Sequence, residues 1–145
     1  MNWNEFGKIV TFLSEKIAQN YKPDTIIGVG KSGVIPASIV TKLLNVNEFH
    51  LVTVRFYNEG KPPKPVSDKP KIIHHTIKTL KGKNVLVVDD FARSGNTLRL
   101  VTDFAEKMGA KKVESAVLAL REDAQIQPEY YGIRFEGCVI FPWDA

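Results

Sequence analysis

Asp89 and Asp90 stand side by side after the apolar run Val85–Val88, and Ser94-Gly95-Asn96-Thr97 follows within a few residues. Hydroxyls, a glycine and the free N–H groups of a helix N-terminus make an anion site suited to phosphate. Adjacent carboxylates would repel that phosphate. They suit sugar hydroxyls, or a Mg²⁺ ion held with them. The stretch Val85–Leu98, VLVVDDFARSGNTL, thus offers both halves of a site for a phosphorylated sugar. The plainer alternative makes the aspartates an N-cap and a turn, as carboxylates at strand–helix junctions often are. Their combination with the Ser-Gly-Asn-Thr loop favours the site.

A second glycine cluster, Gly28-Val29-Gly30-Lys31-Ser32-Gly33, satisfies GxGxxG as a string. A dinucleotide site wants an acidic residue at the end of the next strand, for the ribose hydroxyls. That strand ends Arg55-Phe56-Tyr57, where Arg55 would suit only a 2′-phosphate. Gly30-Lys31-Ser32 looks like the end of a Walker A loop, but the glycine that motif needs at position 25 is Thr25. The ATPase reading fails on spacing.

The elements that must position these loops are legible in the periodicity. Phe6, Ile9, Val10, Leu13 and Ile17 place a helix over 3–21, ended by Lys22-Pro23-Asp24. Thr25–Val29 reads as a buried strand, and 34–44 as a helix with Pro36 tolerated in its first turn. Residues 49–57 form a strand, with an edge strand expected over 72–77. Strand Val85–Val88, helix Asn96–Met108 stopped by Gly109, strand Val113–Leu120 and a last short strand over Cys138–Phe141 complete the pattern. Strands alternating with helices imply an α/β fold, a single-domain parallel sheet covered on both faces. Ligands bind such sheets at the carboxyl ends of the strands, where both glycine loops leave. Segment 58–71, rich in proline and lysine, is expected to be a mobile lid over that edge rather than a linker.

Length and charge bound the partners. The 145 residues make one domain, 1–145, with 43% hydrophobic and 25% charged residues. No apolar run suggests a membrane span, the N-terminus lacks a signal-peptide pattern, and a lone Cys138 excludes an internal disulfide. A cytoplasmic location and no membrane partner are expected. The net charge of +4 favours small anions; a nucleic-acid partner is not expected, since no recognition module is present. His74-His75 reads as a surface pair, Cys138 as a small buried residue and Trp143 as packing.

At these residues the sequence resembles the type I phosphoribosyltransferases, whose signature is an apolar strand, two acidic residues and a short loop rich in Thr, Gly and Ser. KPDTIIGVGKSGVIPA is similar to the family's pyrophosphate-contacting loop and VRFYNEGKPPKP to its lid. The ending PEYYGIRFEGCVIFPWDA is similar to short microbial 6-oxopurine enzymes of the xanthine–guanine and hypoxanthine–guanine type. The resemblance implies a small C-terminal hood and transfer of 5-phosphoribosyl from phosphoribosyl pyrophosphate (PRPP) to a nucleobase, with Mg²⁺. It also implies a homodimer or higher homo-oligomer. By position, Ser94, Gly95, Asn96 and Thr97 would hold the 5′-phosphate and Lys31, Ser32 and Gly33 the pyrophosphate, with Ala92 also among the substrate-binding residues. Asp89 and Asp90 would bind the ribose hydroxyls and metal, with Asp144 approaching that metal. Phe91, Arg121, Cys138 and Val139 would line the base pocket. A cis peptide is implied at Lys31–Ser32.

The base pocket departs from that pattern. Arg93 occupies the catalytic position where such purine enzymes have an aspartate, their presumed general base. Arginine stays protonated and cannot accept a proton. Cys138 replaces an aromatic residue that stacks on the purine, so Phe91 would take over the stacking. Three explanations follow: an already anionic base, a different nucleobase or acidic aglycone, or a non-catalytic regulator that binds PRPP or a nucleoside monophosphate.

Overall fold

The computed structural model describes residues 1–56 and 69–144. The expected lid falls mainly outside the described residues. A capping box opens α1 (Trp3–Asn20): Asn2 Oδ1 accepts the Glu5 amide and Glu5 Oε2 accepts the Asn2 amide, both at 2.8 Å. The chain then alternates β1 (Thr25–Gly30), α2 (Val34–Leu43), β2 (Glu48–Phe56), β3 (Pro70–His75), β4 (Asn84–Ala92), α3 (Asn96–Lys107), β5 (Lys112–Arg121) and β6 (Tyr130–Phe135).

The six strands form one sheet in the order β3-β2-β1-β4-β5-β6. All neighbours are parallel except β3, which returns antiparallel on β2. Pro70 opens that edge strand, where a missing donor is tolerated. Helices α1 and α2 bury Phe6, Leu13, Ile17, Ala37 and Val40 on one face, against Ile26, Leu86 and Leu118. Helix α3 buries Leu98, Val101 and Ala105 on the other, against Val85, Val87 and Val117. Parallel strands buried on both faces explain the unbroken apolar runs of β1 and β4.

The C-terminal part differs from the sequence expectation. No strand forms over Cys138–Phe141; the last strand is β6, and a 3₁₀ turn at Pro142–Asp144 ends the described chain. The apolar run serves a hood instead: Phe141 and Trp143 stack at 4.8 Å, and Trp143 meets Phe6 of α1 edge-on at 5.2 Å. The expected packing role of Trp143 is thereby met. Strand β6 passes so close beneath α1 that a Cβ on Gly132 would lie 2.4 Å from Ile9 Cγ2 and 2.5 Å from the Leu118 carbonyl oxygen.

Candidate active site at the switch point of the sheet

Chain order reverses between β1 and β4: from β1 the sheet grows through β2 and β3, and from β4 through β5 and β6. The crevice above such a switch point is the usual ligand site of open α/β sheets. Pairing of Gly28 with Val88 brings the two glycine loops together at its mouth.

The first loop turns from β1 into α2 through a cis peptide at Gly30–Lys31, one residue before the Lys31–Ser32 bond expected from the resemblance. Gly33 packs onto Asp89 so tightly that a Cβ would sit 2.5 Å from Asp89 Oδ1 and 2.5 Å from the Val29 carbonyl oxygen. Only glycine lets the two loops meet here. Lys31 is exposed and Ser32 half-buried, so the loop can offer a cation and a hydroxyl to an anion.

The second loop begins later than the sequence suggests. Pairing with β5 continues through Phe91–Ala119 and Ala92–Leu120, so both aspartates lie inside β4 and the loop proper is Arg93–Gly95. Asp89 is only 7% exposed, and its Oδ1 accepts the Asp90 amide at 2.8 Å. Burial, then the neighbouring charge of Asp90, holds the Asp89 carboxyl well above the usual carboxylate range. Burial also raises Asp90, with the Asp144 carboxylate adding to the effect. Two buried carboxyls that resist ionisation together are satisfied by hydroxyl donors or by a cation.

Gly95, at φ +89°, is the N-cap of α3 and supplies no side-chain cap to its first amides. Ser94 Oγ accepts the Asn96 amide at 3.2 Å, and Thr97 is half-buried on the first turn. This end of α3 presents N–H groups, hydroxyls and the positive end of a helix dipole to one point.

Where the sequence leads one to expect the base pocket, the half-buried Phe91 lies 4.8 Å from the Phe135 ring, building an aromatic wall from β4 and β6. Arg121 ends β5 with its Nε 2.7 Å and Nη2 3.1 Å from the two Asp123 carboxylate oxygens, a bidentate pair that fixes the guanidinium. Val139 packs against the core under α1. Cys138 is exposed, contrary to the expectation of a buried residue. The hood segment crosses the surface there, and Cys138 and Val139 border a groove shared with Met1, Glu5, Lys8 and Ile9. Arg93 is exposed and, among the described residues, its side chain has no partner.

Asp144 is placed near the pair, but its Oδ2 accepts the Phe141 amide at 2.9 Å and closes the 3₁₀ turn. Among the described residues no group of three or more His, Cys, Asp or Glu side chains could hold a metal. His74 and His75 are exposed, as expected of a surface pair. A further contact comes from Ile126, outside the residues singled out from the sequence, whose amide donates to the Ser94 carbonyl at 3.1 Å. No local signal in Gln125-Ile126-Gln127 announces that contact.

The fold and this pair of loops belong together in one family. A match to the phosphoribosyl transferase domain spans residues 2–145, and the chain belongs to that family. A purine phosphoribosyltransferase of Pyrococcus horikoshii superposes with a TM-score of 0.86 at 34% identity, covering 100% of this chain and 92% of that one. A hypothetical protein of Neisseria gonorrhoeae with bound ppGpp gives 0.86 at 28%, covering 100% and 88%. The xanthine-guanine phosphoribosyltransferase of Idiomarina loihiensis is 28% identical over 99% of this chain and 85% of its own length. Among the described residues no helix is long and apolar enough to cross a membrane.

Proposed function

We propose that the protein transfers the 5-phosphoribosyl group of PRPP to a 6-oxopurine (guanine, xanthine or hypoxanthine), releasing pyrophosphate. The observation that carries this reading is the contact of Gly33 with Asp89, which joins an anion-binding loop to a carboxyl pair at the switch point. In this reading the amides and hydroxyls of Ser94–Thr97 hold the 5′-phosphate, and Asp89 and Asp90 accept the ribose hydroxyls. Lys31, Ser32 and the backbone at Gly33 receive the pyrophosphate, and Phe91 and Arg121 face the base.

Breaking the bond between C1 and pyrophosphate builds positive charge on the sugar and negative charge on the leaving group. Fixed N–H donors and Lys31 stabilise the departing anion, while the carboxylates lie toward the cationic sugar. The donor set also fits Mg²⁺, a hard cation that takes one or two carboxylates together with substrate oxygens. Asp89 and Asp90 would hold it; bound there, it neutralises phosphate charge.

A second reading rests on Arg93. A guanidinium with no partner among the described residues cannot act as the base that removes the purine proton, but it can bind an anion. Together with the gonococcal relative's bound ppGpp, it supports a regulator that binds guanine nucleotides or PRPP without turnover. An anionic or different base is the third possibility that Arg93 serves.

Incubation with PRPP, Mg²⁺ and a panel of bases separates them. Pyrophosphate released with one 6-oxopurine is the expected result, and it names the substrate. Binding of PRPP or nucleotide without pyrophosphate from any base would leave the regulator. Arg93→Asp sharpens the choice: increased guanine or xanthine activity means that the arginine displaced a base, and lost activity means that it has a role of its own.

A further inference from the structure

The turn between β5 and β6 reaches back across the molecule to the loop after β4. Besides the amide bond from Ile126 to the Ser94 carbonyl (3.1 Å), its backbone seats Gly95. A Cβ on Gly95 would lie 2.2 Å from the Ile126 carbonyl oxygen and 2.6 Å from Ile126 Cβ. Gly95 is also the residue whose left-handed backbone aims the first amides of α3.

The turn that makes these contacts is itself held on several sides. The Glu122 amide donates to the Phe135 carbonyl at 3.0 Å, and the Ala124 amide to the Arg121 carbonyl at 3.1 Å. The Ala124 methyl is buried with Leu98 and Leu120. Asp123 clamps Arg121. Half-buried Ile126 therefore stands on a fixed support and presses on a loop that would otherwise be a short, glycine-containing and conformationally free segment.

We propose that Ile126 is a positioning residue for phosphate binding: it holds Ser94 and Gly95 in the ligand-competent geometry before PRPP arrives. This rests on the reading that Ser94–Thr97 take the 5′-phosphate. Ile126 touches no reacting atom; its effect falls on affinity for the phosphorylated partner, not on the chemical step.

The test is calorimetric titration of PRPP with Mg²⁺ into the wild-type chain, Ile126→Gly and Ile126→Val. The glycine variant keeps the amide but frees the backbone, and the valine variant keeps both the amide and a branched side chain. Expected are about tenfold weaker PRPP binding for Ile126→Gly, near-wild-type binding for Ile126→Val, and an unchanged KM for the base. In wild type, hydrogen exchange at the Ile126 amide should slow when PRPP binds, together with residues 94–97, a readout that does not depend on how the variants fold. Wild-type PRPP affinity in Ile126→Gly, or an Ile126 amide indifferent to PRPP, would overturn the proposal while leaving the phosphate site standing. Absence of PRPP binding to the wild-type chain would overturn both.

Discussion

The two edges of the sheet are built to opposite ends. At the edge where the parallel strands begin, polar side chains are matched to one another. Lys83 Nζ lies 2.6 Å from both Glu48 carboxylate oxygens, and His50 Nε2 lies 3.4 Å from Glu48. Tyr130 donates to Glu114 at 2.7 Å, Glu129 accepts the Ser115 amide at 2.6 Å, and Tyr21 donates to the Val85 carbonyl at 2.9 Å. At the edge where they end, Asp89 and Asp90 crowd each other, while the side chains of Lys31 and Arg93 have no partner among the described residues. One edge satisfies nearly all of these polar groups within the chain, with only His50 Nε2 buried and lacking a hydrogen bond. In the function proposed above, the other would gain its missing partners from an anionic, hydroxyl-rich molecule.

The comparison predicts different responses to mutation. Asp90→Asn should lower kcat/KM by about a hundredfold, since it removes charge facing the cationic sugar. The ligand-free protein should melt no earlier, and measurement of both in one preparation shows whether function and stability oppose each other here. Thr97→Ala should weaken PRPP binding by about tenfold through loss of one hydroxyl to the phosphate, read by calorimetry. Lys83→Met, at the opposite edge, should cost about 1 kcal/mol or less in denaturant unfolding and leave the kinetics unchanged.

The edges also differ in the sign of their pH dependence. Asp89 and Asp90 are raised, so the unfolded chain loses these protons first, near 3.8, and stability falls as pH climbs from there to the raised native values. Glu48 is lowered, chiefly by its hydrogen bond from Lys83. Its contribution is present above about 4.5 and disappears as pH falls through the lowered native value. Unfolding curves recorded across that range should flatten on the alkaline side in Asp90→Asn and on the acid side in Glu48→Gln.

Much of this layout is legible in the sequence because it is local. The apolar stripe of α1, the buried runs of β1 and β4 and the glycine after α3 each state their element within a few residues. The carboxyl pair and the Ser-Gly-Asn-Thr turn are likewise adjacent, so their chemistry can be read before any fold is known. Strand β6 is not legible: Tyr-Tyr-Gly-Ile-Arg-Phe carries a glycine at its centre, and that glycine is demanded by Ile9 and Leu118, far away in sequence. Conversely, the apolar run at 138–141 looks like a strand, but Ile140 is exposed and Phe141 stacks on Trp143, which in turn meets Phe6. The continuation of β4 through Asp89–Ala92 depends on pairing with β5, against the low strand propensity of the two aspartates. The brace at Ile126 is invisible for the same reason.

The most direct test of the claim that one edge awaits a ligand is titration of PRPP with Mg²⁺ into the wild-type chain and Asp90→Asn. Saturable one-site binding to the wild type, strongly weakened in the variant, is the predicted result. No heat of binding to the wild type, or equal affinity in both, would contradict the account.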